Sequence, residues 1–220
     1  KNPTRKVQKP LSNMFQKEIE KFVGDLAKVK VNSDTKNPWD FLNPNNIIRR
    51  QNLIGYFKKM HVLKPAVLIV GEAPGFRGCG RVGMPFSSEK LILSHPFFSD
   101  RNIFTIENVS NPIAEASASI VWKTLDSLNF YPLMWATYPY HPHKSGNIFS
   151  NRAPKSEEVL IGQDFLKRLI KLYLIKKVIA VGRVAENTLA EMKIKAFRVR
   201  HPSHGGAKLF AQGLKDFTRK

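Results

Sequence analysis

The chain has 220 residues, 42% of them hydrophobic and 10% aromatic, enough to enclose one core and too few for two ample ones. Its 36 Lys and Arg against 17 Asp and Glu give a formal charge of +19, so the natural partner is a polyanion such as DNA or RNA, whose phosphates supply most non-specific affinity. A single cysteine, Cys79, excludes an internal disulfide framework and a four-cysteine iron–sulfur cluster; no apolar run is long enough for a membrane helix, and the expected setting is the cytoplasm.

Residues 1–10 read as a basic flexible arm, whose Lys1, Arg5, Lys6 and Lys9 are not followed by the apolar core of a signal peptide. Residues 11–220 read as a single domain. A helix is predicted over 11–29, where Met14, Phe15, Ile19, Phe22, Val23 and Leu26 recur at helical spacing. Turn chemistry follows in Asn37-Pro38-Trp39 and Asn43-Pro44-Asn45-Asn46, then a helix over 46–60. The continuous apolar run of residues 66–70, rich in β-branched side chains, reads as a strand buried on both faces. Further strands are predicted at 103–106, 133–138, 178–181 and 196–199, and further helices at 114–128, 156–174, 184–192 and 203–217. This alternation predicts an α/β fold, a three-layer α/β/α sandwich with a mainly parallel central sheet. Ligands of such sheets bind beyond the carboxyl ends of the strands, which gives weight to the loops after Val70, Tyr138 and Val199.

The first loop runs from Gly71-Glu72-Ala73-Pro74-Gly75 through Arg77, Cys79 and Arg81 to Gly83-Met84-Pro85-Phe86. Its glycines let backbone approach a ligand, Glu72 can hold a water or a developing cation, and Phe86 offers a flat stacking face. No Gly-Lys-Ser/Thr follows, so it is not a phosphate-binding loop of that kind. The second loop, Pro139-Tyr140-His141-Pro142-His143, carries two histidines but no third ligand at useful spacing, so no metal site is expected. The third, Arg200-His201-Pro202-Ser203-His204, precedes a helix, with Ser203 as its expected N-cap and the helix N-terminus as a phosphate site. Cys79 reads as an unreactive loop thiol. Glu115, at the start of a helical stretch, reads either as a pocket residue or as a favourable charge on the helix dipole.

Taken in order, these motifs resemble the uracil-DNA glycosylase superfamily, in the bacterial branch nearest the cluster-bearing glycosylases but without the cluster cysteines. Gly71-Glu72-Ala73-Pro74-Gly75 resembles its motif A, Phe86 its stacking Phe, and His201-Pro202-Ser203 its second motif. Asn151-Arg152-Ala153-Pro154, followed by Ser156-Glu157-Glu158, is similar to a stretch of the bacterial members, and Val181-Gly182-Arg183 also fits. The resemblance implies a monofunctional, monomeric DNA glycosylase that needs no cofactor. It would flip a pyrimidine (uracil or a modified base) out of DNA and hydrolyse its N-glycosidic bond to leave an abasic site. Glu72 would position water or stabilise the cationic sugar, and His201 would donate toward the base O2 as negative charge develops. Ala73, Phe86, Ala136, Thr137 and Tyr138 would line the base site, and Arg77, Arg81, Arg200, Ser203, His204 and Lys208 would contact the DNA.

One position departs from the family pattern. Where its Trp-Asn-x-x-Pro motif reads the Watson–Crick edge with Asn, this chain has Trp135-Ala136-Thr137-Tyr138-Pro139. Loss of a designed polar partner is worth orders of magnitude in specificity. Three readings follow: a different substrate, such as the hypermodified cytosine of phage DNA, in a widened pocket; replacement of the amide by Thr137, Asn147 or a backbone group; or a non-catalytic protein that binds a flipped base. The joint presence of Glu72, Phe86 and His201 favours the first two.

Overall fold

The computed structural model describes residues 13–219, so the arm expected over 1–10 lies outside the described residues. Helix α1 (Asn13–Lys28) buries Phe15, Ile19, Phe22, Val23 and Leu26 along one stripe, as their spacing predicts. It leads through strand β1 (Thr35–Lys36) to α2 (Asn46–Leu63), which packs on α1 through the Phe22–Phe57 ring contact. Strand β2 (Val67–Gly71) takes the continuous apolar run and is buried from Leu68 to Gly71. The loop beyond it contains the short α3 (Cys79–Val82) and α4 (Glu89–Ser94) and a 3-10 turn at Pro96–Phe98. Helix α5 (Ala116–Ser127) then leads to β3 (Leu133–Ala136) and β4 (His141–Pro142). The chain closes with α6 (Ser156–Leu172), β5 (Lys177–Val181), α7 (Arg183–Glu191), β6 (Ala196–Val199) and α8 (Ala207–Thr218).

Four strands form one parallel sheet in the order β3-β2-β5-β6. Helices cover both of its faces. Alternation along β6 turns Phe197 and Val199 toward α8, where Phe197 meets Phe217 and Val199 lies against Gly213, while Arg198 pairs with Glu186 of α7. The three-layer α/β/α architecture is therefore as expected. The chain leaves β2 to one side for β3 and returns to its other side for β5, so the sheet reverses direction at β2. A crevice forms at the carboxyl ends of strands where the order reverses. Among the described residues, no helix is long and apolar enough to cross a membrane.

Residues 103–106 do not form the predicted strand. The Asp100 carbonyl accepts from the N–H groups of Ile103 and Phe104, and the side-chain amide of Asn52 engages Thr105 twice. Asn52 Oδ1 accepts from Thr105 N–H at 3.0 Å and its Nδ2 donates to the Thr105 carbonyl at 2.8 Å. One buried amide thus supplies the partners a neighbouring strand would have given, and Phe104 is buried without a sheet. The predicted strand over 133–138 ends at Ala136, although Thr137 and Tyr138 still donate their N–H groups to the Gly71 and Glu72 carbonyls at 2.9 and 3.1 Å.

Candidate active site

The carboxyl ends of β2 and β3 lie side by side, with Gly71 opposite Ala136 in the parallel register. Beyond them a pocket is walled by Glu72, Ala73, Phe86, Ala136 and His201, with Trp39, Cys79, Glu115 and Trp135 completing it. The empty space inside it, open mouth included, is about 550 Å³. The fold therefore brings together both expected catalytic residues and three of the five expected base-site residues.

Glu72 is half-buried, and its side chain makes no hydrogen bond to a described residue. Its backbone carbonyl is fixed by Tyr138 N–H and by the Thr137 hydroxyl at 2.7 Å. Burial pushes its carboxyl above the usual range.

His201 is oriented from behind. Ser203 N–H donates to its Nδ1 at 3.2 Å, and the Ser203 hydroxyl lies 2.6 Å from the same nitrogen. An Nδ1 that accepts from a backbone N–H carries no proton, so the neutral ring holds its proton on Nε2, which has no partner among the described residues. Burial, with Arg200 and His204 nearby, holds the imidazole below its usual range. The ring is accordingly a neutral donor at pH 7.

Phe86 has φ 47, a backbone conformation rare for a bulky side chain. Its carbonyl is anchored by Trp122 Nε1–H at 2.7 Å, and its ring lies across the end of β2, where a Cβ on Gly71 would come within 2.6 Å of it. Strain of this kind persists only where the surroundings hold it, and it collects at ligand sites.

Other expected site residues lie elsewhere. Thr137 is fully buried and turned to the Glu72 carbonyl, away from the pocket wall. Tyr138 is buried against Tyr140, its hydroxyl facing Thr35. Successive residues at a strand end point to opposite sides, so Ala136 and Thr137 cannot share one face. Asn147 lies in a surface turn with its Oδ1 accepting from Phe149 N–H, so neither side chain takes the place of the missing amide. Arg81 is paired with Glu89 at 2.9 Å and does not line the pocket. Ser203 does not cap α8: its hydroxyl sits between His201 and His204, and Gly206 stands at the N-cap. Arg77, Arg200, His204 and Lys208 are exposed, and the first three rim the grooves into which the pocket opens.

Trp39 and Trp135, unassigned in the sequence reading, stack with ring centroids 6.2 Å apart beside the pocket. Trp135 Nε1 is buried without a hydrogen-bond partner. Asn151 rims the pocket's outer grooves and accepts from Phe76 N–H at 3.1 Å, tying down the first loop. His141 also serves that loop, with its ring nitrogens at 2.8 Å from the Pro74 carbonyl and 3.1 Å from that of Ile148. Cys79 is buried, and burial pushes its thiol up, away from the reactive thiolate. Glu115 occupies the N-cap position of α5 but makes no capping bond; its carboxyl lies in the pocket wall.

The family model for the uracil DNA glycosylase superfamily matches residues 57–218. No curated protein matches the chain in sequence. Among solved structures, the wild-type SMUG2 of Pedobacter heparinus is similar with a TM-score of 0.67 and 13% identity, over 94% of this chain and 99% of that one. At that identity the structural match speaks for the fold, and the family model for descent. The chain belongs to the uracil DNA glycosylase superfamily and is a DNA glycosylase.

Proposed function

We propose that the pocket receives one pyrimidine flipped out of DNA and that Glu72 and His201 carry the hydrolysis of its N-glycosidic bond. The observation that supports this most is the convergence of Glu72 and Phe86, from the two ends of the first loop, with His201 of the third on a single pocket. The extruded ring stacks on Phe86. As the C1′–N bond breaks, its electron pair leaves with the base, and Nε2–H of the neutral His201 donates to the oxygen where negative charge gathers. The Glu72 carboxylate stabilises the cationic sugar and orients the water that adds to C1′, leaving an abasic site. No step calls for a cofactor.

The test is base release from DNA, read as strand breaks after heat and alkali. Glu72→Gln and His201→Ala should each slow release about 100-fold or more while DNA affinity stays near that of the parent. Normal turnover by both variants would remove these two residues from the chemistry.

The base itself is open between uracil and a modified pyrimidine. Ala136 favours the second, because neither Thr137 nor Asn147 reaches the pocket to replace the family's amide. On this reading the enzyme removes hypermodified cytosine, for example the glucosylated base of phage DNA, and acts in defence. Comparing release of uracil with that of hydroxymethylated and glucosylated cytosine separates the two.

A further inference from the structure

Glu115 is the one acidic group of the pocket that the chemistry above does not use. Its residue is partly exposed, but its carboxyl head is enclosed by the first loop: a Cβ on Gly78 would collide with both of its oxygens, and one on Gly75 would reach 2.5 Å from Oε1. These two glycines leave room for the carboxyl. It makes no hydrogen bond or ion pair with any described residue, and it does not cap the helix it precedes. It borders the base pocket and both outer grooves, so it stands at the mouth. With no donor from the protein, the carboxyl depends on water at the mouth, and a base that displaces this water must return the hydrogen bond. The pocket wall at Ala136 is bare of side-chain polarity.

We propose that Glu115 is a specificity-determining residue: its carboxylate accepts a hydrogen bond from an amino or hydroxyl group of the flipped base. This rests on the reading that the pocket takes a flipped base. A carboxylate is acceptor-only and selects a donor, as carboxylates do with the cytosine amino group in DNA grooves. The ionisable groups around it are Glu72, Arg77 and Cys79 of the first loop, Arg152 beside Asn151, Arg183 of α7, Arg198 of β6, and Arg200, His201 and His204 of the third loop, none within ion-pair distance. Without a cation in contact, burial pushes its carboxyl up to about 7. The accepting form is therefore gained as pH rises through neutrality.

The experiment measures kcat/KM for base release and Kd for oligonucleotides carrying uracil, cytosine or 5-hydroxymethylcytosine, across neutral pH. The parent is compared with Glu115→Ala and Glu115→Gln, each checked for folding by thermal melting. The preference for cytosine and 5-hydroxymethylcytosine, which carry an exocyclic amino group, over uracil, whose one donor is the ring N3–H, should fall about tenfold or more in the Ala variant. The Gln variant, which keeps an acceptor but cannot ionise, should retain part of the preference and lose its rise with pH. A merely structural role would lower all substrates together and leave the ratio unchanged, and that result, or a larger loss on uracil, overturns the inference. If the parent releases none of these bases, nor glucosylated cytosine, the glycosylase chemistry assigned to this pocket fails, and the same ratio read from Kd still decides Glu115.

Discussion

Ala136 faces the pocket because parallel pairing sets it beside Gly71, one residue before Glu72. In the binding mode proposed above, a residue here would meet both the ring stacked on Phe86 and the sugar. Ala136→Asn would place an amide on the bare wall and fill space that a substituted base needs. Uracil release should rise about tenfold or more relative to that of 5-hydroxymethylcytosine, measured on matched oligonucleotides. An unchanged ratio would mean that position 136 does not read the base. The residues whose place at the pocket was legible in the sequence are those whose backbone position alone decides where they lie. Glu72 follows the buried strand β2 directly and His201 stands two residues beyond β6, so no choice of rotamer takes them far from the strand ends. Thr137 is turned from the pocket by the pleat, which sends it to the face opposite Ala136, and Tyr138, beyond the end of β3, is held against Tyr140. Ser203 was misplaced for a related reason: its hydroxyl had a nearer partner in His201 than the helix amides it could have capped.

At the scale of elements, strands recognised from apolar runs held wherever a sheet partner exists, and failed at 103–106, where Asn52 replaces the partner strand. No periodicity signals a side-chain amide arriving from fifty residues away. The same limit hid the clamp that fixes the loop after β3. Arg152 donates to both oxygens of Glu158 at 2.7 Å, and Glu158 also accepts from the Thr35 hydroxyl and the Lys155 N–H. This ties β1 to the start of α6, while Gly162 lets that helix approach the Thr137 carbonyl closely. Burial pushes the Glu158 carboxyl up, but Arg152, the Lys155 N–H and Thr35 together hold it below the usual range. A depressed folded value gives stability that is present above the unfolded pKa, about 4.3 for Glu, and lost as pH falls through the folded value. Glu158→Gln should therefore lower stability near neutral pH by about 3 kcal/mol, with the gap to the parent closing in acid. Denaturant melts at neutral and acidic pH test this, and an equal gap at both would assign the loss to packing instead.

The molecule as a whole carries a charge of +19, yet its cations divide into two groups. Arg49, Arg81, Arg152 and Arg168 are held by carboxylates and brace the fold. Arg77, Arg200 and Lys208 are exposed, make no ion pair with a described residue, and lie on the first loop, the third loop and the start of α8. Both loops open into the grooves beside Glu72 and His201, so the unpaired charge of Arg77 and Arg200 lies beside these two residues. Composition could announce a polyanion but not this division, because ion pairing depends on which carboxylates the fold brings near. If these three side chains grip phosphates, each releases about one counterion on binding, with a slope contribution near 0.9 in log K against log salt for duplex DNA. The triple variant Arg77→Ala, Arg200→Ala, Lys208→Ala should then bind with a slope shallower by about 3. The loss should be equal for DNA with and without a substrate base, since phosphate contacts position the duplex and do not read it. A slope that stays at the parent's value would move the DNA path to another face. A loss confined to substrate-bearing DNA would place these cations in base recognition.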